Sequence, residues 1–269
     1  MVDNLITATS LREAVKNKDN RSAYLAGGTE INRLGSTVKA RNLISIGRIK
    51  DLDGITKDAD SVRIGAMCTF QDIIESNDVP EYLKEACRFM GSRTKRNMAT
   101  IGGNIALRRT DSYLYATLLA CGAKLDLMSP GGRKVEKCVC HYLHNHEELK
   151  DHLILAVRVP SEAVVYSKRY SNTEQSHAVL TVSMGMTTWC QKAQLRLAVA
   201  AKDTALTRLD DIAEAMVRRQ LSDEEILSML KADKELRFRK DIYGSPEYKR
   251  YLLAVTIADL AKEIRGGQR

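Results

Sequence analysis

Apolar positions along the chain switch repeatedly between a helical and a strand period, the signature of an α+β protein. Ser10 to Asn17 predicts a short helix, with Ser10 as N-cap and Glu13 completing a capping box. Ala23 to Ala26 and Asn42 to Ile46 predict strands, the first running into a glycine turn. Val62 to Gly65 begins a new α+β unit, followed by a helix bearing Phe70, Ile73 and Ile74 behind Thr69. A second helix carries Leu83, Ala86, Cys87 and Met90 on one face. Ile101 to Ile105 reads as a glycine-broken strand or turn. Asp111 is placed to cap a helix running through Leu119 and stopping at Gly122. Ala123 to Met128 alternates into the turn Ser129-Pro130-Gly131-Gly132, and Leu153 to Val159 forms a strand closed by Pro160.

After Ser171 the pattern changes. Leu180, Val182, Met184 and Met186 alternate, as do Leu195, Leu197 and Val199, which predicts two antiparallel strands with one buried face. Helices must cover that face: Leu209, Ile212, Ala213 and Met216 form one stripe, Ser222 and Glu225 cap a second, and Ser245-Pro246 opens a third through Ile264. The tail Arg265 to Arg269 is expected to fray. No repeat or low-complexity linker is present, so a boundary near 170 rests on the change of pattern alone.

The 269 residues are 44% hydrophobic and 28% charged, ordinary globular values, with few aromatics to offer a base-stacking surface. No apolar run approaches the roughly 18 residues that would span a bilayer, and the first 30 residues hold no secretion signal, so a cytoplasmic protein is expected. Six cysteines, at 68, 87, 121, 138, 140 and 190, are then expected to be reduced, buried thiols. The net charge of +8 fits an anionic cofactor, an acidic partner or nucleic acid equally.

Leu25-Ala26-Gly27-Gly28-Thr29-Glu30 places a glycine pair at the end of a strand, where bare backbone N–H groups can face an anion. A tight turn needing positive φ explains the same residues. Thr100-Ile101-Gly102-Gly103-Asn104 repeats the device, and two such loops would supply several charge-assisted bonds to a diphosphate. Neither a Rossmann fingerprint nor a P-loop occurs. Arg93, Lys95, Arg96, Arg108 and Arg109 flank the second loop. They read as solvated surface, phosphate contacts or a dock for an acidic partner, and the lack of interleaved aromatics argues against nucleic acid. Cys138, Cys140, His141, His144 and His146 crowd nine residues, but adjacent Cys140 and His141 suit one tetrahedral ion poorly, and no metal is expected. No Ser/His/Asp set, paired carboxylates or activated cysteine emerges, so no catalytic side chain is assigned.

Leu25 to Glu30, Ile64-Gly65-Ala66 with Thr69, Arg96-Asn97 ahead of Thr100 to Ala106, Leu118 to Ala123, Leu153 to Pro160, Lys168 and Tyr243 to Tyr248 together resemble the FAD-binding subunits of molybdopterin dehydrogenases of the xanthine dehydrogenase and carbon monoxide dehydrogenase type. The resemblance implies a two-subdomain FAD-binding fold of the vanillyl-alcohol-oxidase-like (PCMH) type over 1–170, with subdomains of about 1–55 and 56–170. A C-terminal antiparallel sheet covered by helices would occupy 171–269. It implies FAD held by Leu25, Ala26, Gly27, Gly28, Thr29 and Glu30 and by Thr100, Ile101, Gly102, Gly103 and Asn104. Ile154 would be an apolar wall and Lys168 a cation near the flavin. Partner subunits would carry molybdopterin and [2Fe-2S] centres, with electrons leaving FAD for NAD or another acceptor. A stand-alone FAD reductase or oxidase, or a scaffold subunit that has lost FAD, are the alternatives. One departure favours the last: Tyr113 stands where the family pattern has Asp, with Asp111 two positions earlier.

Overall fold

A computed structural model describes residues 2–33, 36, 38–187, 194–202 and 206–266, so Cys190 and residues 267–269 of the tail lie outside the described residues. In chain order the elements begin with β1 (Asn4–Thr7), α1 (Leu11–Lys16), β2 (Ser22–Leu25), β3 (Asn42–Ser45), β4 (Ile55–Lys57) and β5 (Ser61–Gly65). Next come α2 (Phe70–Glu75), α3 (Glu81–Arg88), α4 (Arg93–Arg96), α5 (Ile101–Ala106) and α6 (Tyr115–Ala120). Strands β6 (Lys124–Met128) and β7 (Lys134–Cys138) precede α7 (Val139–His144) and α8 (His146–Leu149). The remainder is β8 (Leu153–Pro160), β9 (Ala163–Tyr170), β10 (Leu180–Thr187), β11 (Gln194–Ala201), β12 (Thr207–Arg208), α9 (Asp210–Arg218), α10 (Asp223–Ala232) and α11 (Pro246–Gly266).

Two compact units are assembled from interleaved segments. The first holds 1–79, 92–107 and 123–159; the second holds 80–91, 108–122 and 160–269. The boundary near 170 drawn from the sequence falls at the end of β9, inside the second unit.

The first unit carries a parallel three-stranded sheet in the order β1-β3-β2 and a five-stranded sheet in the order β4-β5-β8-β6-β7. Strand β8 lies in the middle of the larger sheet, which is why its residues are buried almost without a break. Helix α1 begins as its sequence requires, with Ser10 accepting from the Glu13 N–H, but the Glu13 carboxylate closes on Thr9 instead of Ser10. Helix α2 has the full reciprocal box between Thr69 and Asp72. The hairpin turn after β6 forms where Ser129 to Gly132 demand it, with Gly132 at φ 81°.

The second unit is a four-stranded antiparallel sheet, β12-β11-β10-β9, with α9, α10 and α11. Leu180, Val182 and Met184 of β10 and Leu197 and Val199 of β11 join Ile212, Met216, Ile226, Leu230, Leu253, Ile257 and Leu260 in one apolar cluster. Strand β10 is buried on both faces, not one, because α6 packs on it as well as α11. Gly185 permits this: a Cβ there would lie 2.5 Å from the Ala120 carbonyl oxygen of α6. Helix α6 stops at Gly122 with φ 72° as expected, but it starts at Tyr115, and Asp111 does not cap it.

Candidate functional site

The two glycine loops meet in the first unit. Strand β2 ends at Leu25, whose carbonyl accepts from the Ile46 N–H at 3.1 Å, and the chain turns through Gly27 and Gly28. Gly28 has φ 70°. Gly27 meets a harder constraint, since a Cβ there would stand 1.6 Å from the Met98 carbonyl oxygen. No rotamer relieves a backbone clash of that size, so the loop tolerates only glycine at 27.

Ile101 to Ile105 is a helix, α5, and not the glycine-broken strand or turn expected. Thr100 caps it, accepting from the Gly103 N–H at 3.1 Å. Two glycines should weaken a helix by roughly 1 kcal/mol each, and the structure shows what offsets this. The Ile101 and Gly102 N–H groups, which a helix start leaves unpaired, donate to the carbonyls of Cys68 (3.0 Å) and Ala66 (2.9 Å). A Cβ on Gly102 would come within 2.7 Å of the Ala66 Cβ, so helix and strand end approach closely only because residue 102 has no side chain. A Cβ on Gly103 would lie 3.7 Å from the Ala26 Cβ, which puts the first loop beside the second.

Ala66 then ties the pair to the central strand, its N–H donating to the Leu155 carbonyl at 3.0 Å. Ile154, one residue earlier on β8, is 5% exposed and sits opposite Leu127. The two glycine loops, Ala66 and Leu155 therefore belong to one backbone-linked assembly, with Ile154 the chain neighbour of Leu155. Sequence reasoning missed Met98 as a member, because it contributes a carbonyl that any residue would carry.

Polar groups at this junction are of two kinds. Some are satisfied: Glu30 pairs with Arg33 at 2.7 Å, and Thr100 is 3% exposed with its oxygen already accepting. Others are open. Among the described residues no acceptor meets the N–H groups of Gly27, Gly28 or Thr29. The Tyr24 hydroxyl on β2, just before the loop, is buried without a partner. Burial first, and then the charge of Asp151, pushes that phenol well above its ordinary pKa, so it stays a donor. Consecutive open backbone donors on a loop held against a second backbone are what a diphosphate needs. The residues present fit FAD.

The remaining expected site residue, Lys168, lies on β9 of the second unit and pairs with Glu263 (3.1 Å) and Asp259 (3.7 Å) of α11. The same unit holds the segment where the chain departs from the family pattern. Asp111 is buried and gripped by Arg109 through two hydrogen bonds of 2.8 Å, with His177 Nδ1 at 3.6 Å. Burial pushes the Asp111 carboxyl up, but the Arg109 hydrogen bond and charge, followed by His177, hold it below the usual carboxylate range. Tyr113 is 6% exposed, 5.5 Å from the His177 ring and beneath the Arg169 guanidinium at 5.7 Å. Asp111 is thus committed to Arg109, which argues against its replacing the missing family Asp.

The Cys/His run forms α7 and its flanks. Cys138 accepts from the His141 N–H as N-cap, and His144 Nδ1 lies 2.8 Å from the Cys140 carbonyl oxygen. Among the described residues no three His, Cys, Asp or Glu side chains are arranged to hold a metal ion. Cys68, Cys87 and Cys121 are buried free thiols, whereas Cys138 is exposed, contrary to the expectation of burial, because a capping sulfur sits at the helix surface. Among the described residues no helix is long and apolar enough to cross a membrane.

Comparison with known proteins gives the family and the fold. Residues 2–162 match the family model for the FAD binding domain in molybdopterin dehydrogenase. The glyceraldehyde dehydrogenase medium chain of Sulfolobus acidocaldarius is 24% identical over 96% of this chain and 97% of its own length. The xanthine dehydrogenase FAD-binding subunit of Escherichia coli O157:H7 is 36% identical, over 42% of this chain and 41% of its own. Carbon monoxide dehydrogenase from Hydrogenophaga pseudoflava shares the fold with a TM-score of 0.82 at 21% identity, covering 97% of this chain and 96% of that one. With residues 2–162 matched, the chain belongs to the family of FAD-binding domains of molybdopterin dehydrogenases, and FAD is its cofactor.

Proposed function

We propose that the chain is the FAD-carrying electron-transfer subunit of a molybdenum hydroxylase or dehydrogenase complex, standing between the [2Fe-2S] centres of a partner subunit and NAD or another acceptor. The observation that carries this reading is the contact of Gly27 with the Met98 carbonyl, which joins two donor-bearing loops inside the segment matched by the family. The names of the relatives, medium chain and FAD-binding subunit, support a role as one member of an assembly.

Bound FAD would supply transfer of one or two electrons, chemistry that no side chain here provides. The N–H groups of Gly27, Gly28 and Thr29 would donate to the pyrophosphate, and Thr100 Oγ1, already accepting from Gly103, retains its proton to donate. Leu25, Ala26, Ile101, Gly102 and Gly103 hold those donors in place, and Asn104 adds a carboxamide. The Glu30 charge is offset by Arg33 and does not oppose an anion. Ile154 would give an apolar wall. Lys168 is the proposed cation for the flavin, with part of its charge already spent on Glu263 and Asp259.

The test is the visible spectrum of the full chain purified without added cofactor, followed by NADH under anaerobic conditions. Flavin bands that bleach are expected. Rapid turnover of NADH with a small acceptor by the chain alone would favour the stand-alone reductase. A colourless protein that leaves the spectrum of added FAD unchanged would overturn the proposal in favour of the scaffold reading, which Tyr113 motivates.

A further inference from the structure

The chain leaving the first glycine loop turns back over it. The Asn32 N–H donates to the Gly28 carbonyl at 3.1 Å. A bond between residues four apart closes one helical turn, so it returns residue 32 to the side of residue 28, and any residue but proline could make it. What is particular to Asn32 is its side chain. A Cβ built on Gly28 would stand 3.0 Å from Asn32 Nδ2 and 4.0 Å from Asn32 Cγ, with Leu25 Cδ1 at 3.5 Å. The carboxamide thus lies where a side chain of residue 28 would crowd it. The space it needs and the φ of 70° are two separate reasons for glycine at 28.

Nothing in the fold uses that carboxamide. Asn32 is exposed, and among the described residues no hydrogen bond engages its side chain. The charged groups on either side of it in sequence, Glu30 and Arg33, are occupied with each other at 2.7 Å. A solvated carboxamide is ordinary in itself, and its place is what gives it meaning. Its two N–H donors stand beside Gly28, in the loop where the N–H groups of Gly27, Gly28 and Thr29 meet no acceptor among the described residues. A pyrophosphate has more acceptor oxygens than those backbone groups fill. A neutral amide can serve the rest without the cost of desolvating an ammonium.

We propose that Asn32 is a further cofactor-binding residue, its Nδ2 donating to a pyrophosphate oxygen of FAD beside the N–H groups of Gly27, Gly28 and Thr29. This rests on the reading that the first glycine loop holds the pyrophosphate. The role depends on donor character and not on shape. Aspartate at 32 would match asparagine in size, but it only accepts, and its charge opposes the phosphates. Alanine would remove the donor without adding a charge. A residue that merely fills space beside Gly28 would rank the two variants the other way, because aspartate keeps the shape and alanine loses it.

The experiment titrates the full chain, freed of cofactor, with FAD and follows flavin fluorescence for the parent, Asn32→Ala and Asn32→Asp. Gly27→Ala runs alongside, and each protein is melted. Both Asn32 variants should melt as the parent does, since the side chain is exposed and makes no bond in the fold. FAD affinity should fall about tenfold in Asn32→Ala and more than about a hundredfold in Asn32→Asp. Added salt should narrow the gap between the two variants by screening the new charge. Parent-like affinity in Asn32→Ala, or an Asn32→Asp that binds FAD as well as Asn32→Ala does, would overturn the proposal. If Gly27→Ala loses FAD while both Asn32 variants keep it, only the role of Asn32 falls. A folded Gly27→Ala that keeps its FAD affinity, or a folded parent that binds no FAD, overturns the loop reading as well.

Discussion

Inside the second unit the hydroxyls of Thr117, Ser167 and Ser183 answer one another at 2.7 to 3.3 Å, and Lys249 and Asp111 have their counterions beside them. In the first unit the Gly27, Gly28 and Thr29 N–H groups meet no acceptor among the described residues, and the Tyr24 hydroxyl is buried alone. Both units bury an apolar core. The second also buries isolated side-chain atoms without a partner, such as Ser161 Oγ and Thr181 Oγ1, whereas the first keeps three consecutive backbone donors open where two backbones are locked together. Unmet donors held rigidly are a binding site in waiting, because a ligand that satisfies them gains without an ordering cost.

The sharpest way to break the comparison is Gly27→Ala. A Cβ 1.6 Å from the Met98 oxygen forces the loops apart. The expected cost is roughly 4 kcal/mol of stability, with FAD affinity down more than about a hundredfold, read by denaturant melts and flavin fluorescence. Leu253→Ala makes the converse test in the second unit. Leu253 is fully buried in the apolar cluster, and truncation should cost roughly 3 kcal/mol while leaving FAD affinity within a factor of about two in the folded fraction.

Arg109→Leu is next, at about 2 kcal/mol near neutral pH, since it strands a buried carboxylate that Arg109, itself partly exposed, now holds. Asp111 has a folded-state pKa below the ordinary 3.8, so the parent's gain from it is complete above pH 3.8 and lost as pH falls through the lower folded value. The deficit of the variant should therefore narrow below pH 3.8, which melts across a pH series would show. Thr100→Ala removes only the α5 cap and one proposed donor. It should cost about 1 kcal/mol and weaken FAD roughly tenfold.

Features carried by neighbours in sequence were legible before the structure. The helix behind Thr69, the capping box at Ser222/Glu225, the hairpin at Ser129 to Gly132 and the stop at Gly122 are all local, and all form. Apart from the Ser10/Glu13 box, whose carboxylate closes on the neighbouring Thr9, what failed was decided at a distance. Helix α5 contains a Gly-Gly pair that argues against helix, and it forms because its first N–H groups find Ala66 and Cys68. Strand β9 went unpredicted because Ser167, Lys168 and Arg169 interrupt its alternation; it lies at the sheet edge, where polar residues are tolerated. Asp111 looked like a helix cap, and only the structure shows it held by Arg109 with His177 behind. Within the candidate site the glycines could be read from the sequence, while their partners Met98 and Ala66, which act through backbone atoms, could not.

The most direct test of the cradle is an FAD titration of the full parent chain and of Gly27→Ala, followed by flavin fluorescence quenching and paired with the melting curve of each. The account predicts saturable binding by the parent, and a folded variant population whose affinity has fallen more than about a hundredfold. Equal FAD affinity in parent and folded variant would contradict it, as would a folded parent that binds no FAD.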